Sequence, residues 1–569
     1  MSTSPTGYSW SESSRKDLAC GHTSIGFTTV EEAFPAATGG ARRLALFVWL
    51  PLLYSAQAPP PSFPGRTSRL ADRSLAVIDV GSNSGRVVVI RIGGPGHLEI
   101  LANGRAPFRL ARDLRQGNRI APETIERTAA ALRDFRAIAE SAGAGTLIAV
   151  ATSAVREAEN AEEFQARIEA QSGVTVRVIS GDQEALYTFL GAVHGLPVEQ
   201  GVVADLGGGS LELTEFNERR ALRSWTLPLG SLRLSDRFLQ GDPPAKQEIE
   251  ELTGHARTTL EEAEVGELDP GERVVGTGGT IRNLAKVDQS SRRYPIPRLH
   301  GYVLTRKRVQ DLAHLLASRR LSRRRLLSGL SRERADSIVG GSLVLLTVME
   351  HLGATELTVS SQGLREGLAF DAVGLRDTPV EEVRRASILA LASRFSTWDP
   401  DRAERRATVA GSILRSLEPE AGANVHERLT QGTNLLDIGR SVDYYRRYQH
   451  TADMITEADL DGFSHRKLAL LSAVVRQAGD EGMSISRYRP LLGPDDRVQV
   501  ARSATVLALA DEIEHRLPPG HGGEVRCLVQ GKRVMLEAPV YDPWRREALA
   551  ARFRVAFGKR LLLQSGGDA

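Results

Sequence analysis

Asp205 and Glu212 stand at the two ends of the run Leu206-Gly207-Gly208-Gly209-Ser210-Leu211. Two carboxylates beside a glycine turn can hold a hard cation such as Mg²⁺ through oxygen ligands. Three successive glycines reach backbone conformations closed to other residues and keep side chains away from a bound group. Their N–H groups can form a concavity for phosphate oxygens, to which Gly208, Gly209 and Ser210 would contribute. The β-branched pair Val202-Val203 lies just upstream, so the stretch reads as strand, glycine turn, strand. Taken alone, it fits a tight hairpin without ligand equally well.

The pattern occurs twice. Leu75-Ala76-Val77-Ile78 leads into Asp79-Val80-Gly81-Ser82-Asn83-Ser84-Gly85-Arg86, again strand, Asp, small-residue turn, strand. Asp79 therefore joins Asp205 and Glu212 as a candidate cation ligand, and Ser82 and Asn83 join the candidate phosphate contacts. A third turn, Gly276-Thr277-Gly278-Gly279-Thr280, follows Val274-Val275 and adds Gly278 and Gly279. Two Asp-Gly hairpins plus this later turn resemble the phosphate loops of the actin-like (ribonuclease H-like) phosphotransferase superfold, in which two similar α/β halves close on a phosphate-bearing ligand. The Gly-x-Gly-x-x-Gly dinucleotide fingerprint is absent from all three turns, which lowers the weight of a nicotinamide reading.

Three further pieces carry chemistry. Ala151-Thr152-Ser153-Ala154-Val155-Arg156 follows a strand and presents Arg156, a planar donor suited to phosphate oxygens. Val178-Ile179-Ser180-Gly181-Asp182-Gln183-Glu184 reads as a strand ending in a glycine turn that presents Glu184. A glutamate there can take a proton from water. Gly363-Leu364-Arg365-Glu366-Gly367 suits a strand-to-helix turn closing the second half.

In this order and spacing, DVGSNSGR (79–86), ATSAVREAEN (151–160), ISGDQEA (179–185), DLGGGSLE (205–212), GTGGT (276–280) and GLREG (363–367) resemble the exopolyphosphatase and guanosine pentaphosphate phosphohydrolase family, Ppx/GppA. The resemblance spans about 300 residues, far more specific than any one glycine turn. It implies hydrolysis of a terminal phosphoanhydride with Mg²⁺ in the cleft between the halves. It assigns Glu184 as catalytic base, Asp205 and Glu212 as metal-side carboxylates, and Ser82, Asn83, Arg156, Gly208, Gly209 and Ser210 as phosphate contacts. The chain departs from the family's Glu-Glu-Ala-Arg at Gln183-Glu184-Ala185-Leu186, and Leu211 replaces the threonine of GGGST.

Around these motifs the chain of 569 residues divides into an extension (1–72), actin-like unit I (73–197), actin-like unit II (198–378), a helical region (379–500) and a small α+β portion (501–569). Hydrophobic content of 41% and charged content of 25% are ordinary for globular protein, and a net charge of +3 creates no field demanding a polyanion. Arg319, Arg320, Arg323, Arg324, Arg325, Arg332 and Arg334 read as a solvated helix face, and no specific nucleic-acid binding is expected, since stacking aromatics are not interleaved. Two cysteines make no disulfide framework, so a cytoplasmic setting is expected; a homodimer and no membrane contact are separate expectations. The apolar run 44–54 is too short for a membrane span and begins too late for a signal peptide, which favours a disordered extension over export.

Residues 379–500 resemble the HD-phosphohydrolase-like domain of long family members. Leu436 precedes Asp437 where a His-Asp pair is needed, and Arg405 and Arg406 stand near the expected upstream histidine. With only Asp437 and His450 the metal site is degenerate, and a structural or substrate-guiding role is expected. Arg440, Arg446, Arg447, His450, Arg526, Lys532 and Arg533 are candidates for a polyanion track. Inorganic polyphosphate and guanosine pentaphosphate (pppGpp) are the two candidate substrates. An actin-like sugar kinase and a non-catalytic sensor of either compound are the remaining readings, the latter motivated by Gln183, Leu186 and Leu211.

Overall fold

The computed structural model describes residues 74–93, 97–114, 117–376, 378–479, 484–518, 520–538 and 543–564. The expected extension, with its apolar run, lies outside the described residues. Among these no helix is long and apolar enough to cross a membrane.

The first sheet holds β1 (Ser74–Val80), β2 (Ser84–Gly93), β3 (His97–Pro107), β4 (Thr146–Ala151) and β5 (Arg177–Val178) in the order β3-β2-β1-β4-β5. The second holds β6 (Gly201–Leu206), β7 (Leu211–Asn217), β8 (Arg220–Leu227), β9 (Arg273–Thr277), β10 (Tyr302–Thr305) and β11 (Glu356–Val359), ordered β10-β11-β9-β6-β7-β8. Read from the antiparallel edge inwards, both sheets repeat one plan: an antiparallel meander of three strands, then parallel neighbours. This is the doubled actin-like architecture. The third meander strand of each half, β3 and β8, and the edge strand β10 were not signalled by composition, because half-exposed strands such as β3 mix Glu, Asn and Arg with small residues.

Strand periodicity explains the layering. On β1, Leu75 and Val77 face one core while Ala76, Ile78 and Val80 face another. The outer core of the first half packs against the helices Pro122–Ser141 and Ala161–Ser172. The inner core lies between the two sheets and receives Val203 of β6 and Val275 of β9 from the second half. Two helices fill it, Gly181–His194 and Leu364–Val373. They cross at Gly191 and Gly367, where an added Cβ would lie 2.0 Å from the Gly363 carbonyl oxygen and 1.7 Å from that of Tyr187. The Gly363–Gly367 motif thus starts the crossing helix as well as ending a strand.

The helices from Val380 onward and the third sheet, β12 (Arg526–Gln530), β13 (Arg533–Glu537) and β14 (Arg560–Gln564), share one core. Val409, Leu429, Leu471 and Leu507 from the helices join Val534, Leu536, Phe553 and Leu561 in it. The division expected at 500/501 falls inside the helix Asp496–Glu514, which packs on both sides of it.

Candidate active site

β1 and β6 end side by side in function, each carrying an aspartate one residue before its last. In open α/β sheets, ligands bind beyond the carboxyl ends of the strands. Asp79 and Asp205 line a cleft there together with the turns Gly81–Ser84, Gly207–Ser210 and Gly278–Gly279. Ser82, Asn83, Gly208, Gly209, Ser210, Gly278 and Gly279 all contribute to its wall, as the sequence led us to expect. Gly278 has φ +94°, and a side chain there would also collide with the Leu206 carbonyl oxygen at 2.4 Å and Asp205 Oδ1 at 2.8 Å. Only glycine suits that turn.

Glu184 also reaches the cleft, though not from a strand-end turn. It sits in the first turn of the helix Gly181–His194, capped by Ser180, whose Oγ accepts from Gln183 N–H at 3.1 Å. The Gln183 side chain accepts from Ser180 N–H at 3.1 Å, completing a capping box. Gln183 therefore performs a backbone task that glutamine does as well as glutamate. Leu186 packs half-buried against the inner core, and Leu211 is buried in the core of the second half. None of the three departures lines the cleft.

Arg156 is placed differently from expectation. It does not line the cleft; its Nη1 donates to Glu184 Oε2 at 3.0 Å and to the Ile179 carbonyl at 2.8 Å. It orients the glutamate. Glu212 pairs with Asp205 across β6 and β7, lies buried behind it, and leaves Oε1 without a hydrogen-bond partner.

The electrostatics are opposed within the cleft. Burial pushes Asp79 up to about 6, against the pull of Arg365 and Arg86. Burial likewise raises Glu184 to about 7, with Arg156 opposing and Asp205 and Asp79 adding to the rise. Asp205 is raised by burial, and Glu212 well above the carboxylate range by burial and then by Glu184 and Asp205. Beside them in the cleft are arginines that sequence reading missed. Burial and then Arg282 and other arginines lower Arg86 to about 9; burial also lowers Arg282, and Arg334 falls to about 10. Acids and arginines thus share the cleft, and burial holds back the ionised form of each.

Arg86 had a signal. It pairs with Asp79 across β1 and β2 in the register where Glu212 pairs with Asp205. Arg334 belongs to the arginine cluster read as a solvated face. That reading holds for Arg320, Arg323, Arg325 and Arg332, but Arg334 is buried in the cleft wall and buried Arg324 pairs with Asp242 at 2.8 Å.

A family model described as "Ppx/GppA phosphatase family" matches residues 88–375, and one described as "Ppx/GppA phosphatase, domain III" matches residues 383–517. The chain belongs to the Ppx/GppA phosphatase family. Membership makes it an enzyme, a phosphoanhydride hydrolase. It is 30% identical to exopolyphosphatase 1 of Mycobacterium leprae over 336 residues, 57% of this chain and 99% of that protein. With exopolyphosphatase 1 of Mycobacterium bovis it shares 31% over 298 residues, 52% of this chain and 86% of that protein. A crystal structure of the Aquifex aeolicus Ppx/GppA family member is 29% identical, with a TM-score of 0.48 over 54% of this chain and 99% of that one.

Among the described residues, no group of three histidines, cysteines or carboxylates could by itself hold a metal ion. Mg²⁺ does not need one, because it keeps several waters and is usually held by one or two carboxylates plus substrate phosphates. Half-buried Asp205 and Asp79 in the cleft lining, with the orphaned Oε1 of buried Glu212 on the strand beside Asp205, fit that mode.

Proposed function

We propose that this Ppx/GppA phosphatase removes the terminal phosphate of inorganic polyphosphate, with Glu184 as general base and Mg²⁺ as cofactor. The observation that supports this most is that the carboxylates Asp79, Asp205 and Glu184 and the arginines Arg86, Arg282 and Arg334 line one cleft together with the glycine turns. The mycobacterial relatives are named exopolyphosphatases, in keeping with that substrate.

The turns Gly81–Ser84 and Gly207–Ser210 hold the terminal phosphoryl group, as small residues with free N–H groups can. Arg86, Arg282 and Arg334 take up the negative charge of the phosphoryl group and its neighbour in the chain. Glu184, fixed by Arg156, takes one proton from the attacking water. The water oxygen bonds to phosphorus, the bridging P–O bond breaks, and the shortened chain leaves with the electron pair. Mg²⁺ on Asp205 and Asp79 would supply charge neutralisation for the phosphate oxygens.

The test is phosphate release from long-chain polyphosphate with Mg²⁺, wild type beside Glu184→Gln, with guanosine pentaphosphate as a parallel substrate. Turnover of polyphosphate that is lost in the variant supports the proposal. Turnover confined to the pentaphosphate would move the assignment to the alarmone, and binding of either without release would make the protein a sensor.

A further inference from the structure

The loop Leu460–His465 of the helical region reaches the back of the cleft. Its Gly462 N–H donates to the Gly195 carbonyl at 2.8 Å, at the end of the central helix Gly181–His194. Ser387 Oγ holds the Asp461 carbonyl at 3.0 Å, and Arg298 donates to the Leu460 carbonyl. The Asp461 side chain, 3% exposed, is thereby pointed into the two actin-like units. Its Oδ2 accepts from Gln362 Nε2 at 3.2 Å, and its Oδ1 lies 3.4 Å from Arg298 and 3.9 Å from His300 Nε2. His300 Nδ1 lies 3.4 Å from both the Ser361 N–H and Ser360 Oγ, and its Nε2, without a hydrogen-bond partner, faces the Asp461 carboxylate. Both routes from Asp461 therefore end on one turn, Ser361-Gln362.

That turn supports Thr277 and Arg282. The Gln362 carbonyl accepts from Thr277 Oγ1 at 2.9 Å, and the Ser361 carbonyl from Arg282 Nη1 at 3.4 Å. Arg282 Nη1 also donates to Thr277 Oγ1 at 3.1 Å, and both residues line the cleft. Gly195 leaves room for the carboxylate, since a Cβ there would lie 2.7 Å from His300 Nε2 and 2.9 Å from Asp461 Oδ1.

We propose that Asp461, supplied by the helical region, is a positioning residue for the cleft, acting through the Ser361-Gln362 turn on Arg282. The proposal rests on the cleft being the site of phosphoanhydride hydrolysis. It gives the helical region a part in the chemistry, beyond guiding substrate, and it bears on what a chain cut at 380 would retain. The cleft motifs would all remain, yet their shared support at Gln362 and His300 would be gone.

Phosphate release from tripolyphosphate and hydrogen exchange of residues 361–366 decide the matter on the full chain. Asp461→Ala and Gln362→Ala should each lower kcat about tenfold, because small misplacements of a charge-stabilising group are costly. The double variant should be no slower than either single one, since both act through the same turn. Amides 361–366 should exchange faster in both, while those of the helix His465–Gly479 stay protected. Gln362 is half-buried, so its variant stands in if Asp461→Ala fails to fold. A Gln362→Ala enzyme with wild-type kcat, additive losses in the double variant, or unchanged exchange at 361–366 would overturn the proposal. If the wild type released no phosphate, the functional reading would fall instead, and the exchange pattern would still show whether Asp461 holds the turn.

Discussion

Two regions of this molecule bury carboxylates in clusters, and they treat the charge in opposite ways. In the helical region Asp437, Asp511 and Glu514 surround Arg406, whose guanidinium lies 3.0, 2.9 and 3.6 Å from them and has no exposed surface. Burial alone would raise Asp511, but Arg406, His515 and Arg447 outweigh it and hold the group down at about 2. In the cleft, burial is opposed too weakly, and Asp79 and Glu184 rise to about 6 and about 7. A buried acid whose counter-ion is part of the chain is structural. A buried acid left short of positive charge is set up to meet a cation or a proton in its working cycle.

The comparison breaks most sharply at Arg406. Arg406→Ala should destabilise the helical region by about 3–5 kcal/mol, the scale for removing one partner of a buried ion pair. Denaturant unfolding should show it. A variant as stable as wild type would mean that water reaches these acids and that the pairing contributes little. Glu184→Gln comes next. It should leave the fold intact and slow phosphate release at least about a hundredfold, roughly 2.7 kcal/mol in barrier. An active, well-folded variant would remove the base assignment.

How much of this was legible in the sequence differs between the two regions for a physical reason. Glycine turns, strand-end aspartates and the residues around Glu184 are local signals, and the structure brings Asp79, Asp205, Glu184 and the three turns together on one cleft. The cleft arginines were not a local signal. Arg86 comes from a strand, Arg282 from the helix after Gly278, and Arg334 from a cluster that otherwise faces solvent. Only the tertiary fold selects one arginine in that cluster for the cleft. Arg156 carried a correct type in a correct place, yet its guanidinium is turned to Glu184 because Ile179 and Glu184 offer it acceptors first. Arg440 and Arg447, read as part of a polyanion track, likewise face Asp437 and Asp511 at 3.5 and 3.0 Å, leaving Arg446 and the terminal Arg526, Lys532 and Arg533 exposed.

Asp205→Asn sharpens the contrast from the metal side. A neutral amide supplies less charge to Mg²⁺, so activity should fall about tenfold and the Mg²⁺ needed for half-maximal rate should rise. Equal activity at saturating Mg²⁺ would make Asp205 a turn residue only. A smaller effect follows from pH. The raised acids favour folding in their protonated form, so their stabilising contribution is present at acid pH and is lost as pH rises through about 6 for Asp79 and about 7 for Glu184. Cation-free protein should therefore melt a few degrees lower at pH 8 than at pH 5.5, by the usual scale of such shifts. Added Mg²⁺ should restore more at pH 8. An equal Mg²⁺ effect at both values would show that binding does not involve these acids. The same protein should release phosphate faster as pH rises through about 7, because the base must be ionised.

The smallest expected effect is at His450. Asp437 is the one carboxylate that the sequence placed beside it in a degenerate metal site. In the structure Asp437 Oδ2 accepts from Arg406 at 3.0 Å, and its Oδ1 lies 3.5 Å from Arg440. A metal there would have to displace a guanidinium that also neutralises Asp511 and Glu514, stranding that cation in the core. His450→Ala should therefore change phosphate release less than about twofold, within the range of a surface substitution. Dialysed protein should carry no stoichiometric transition metal. Elemental analysis of wild type and variant measures both at once. One tightly bound Fe, Mn or Zn per chain, lost on His450→Ala, would mean that Arg406 moves aside in solution, and the helical region would then belong with the cleft among sites that take their charge from outside.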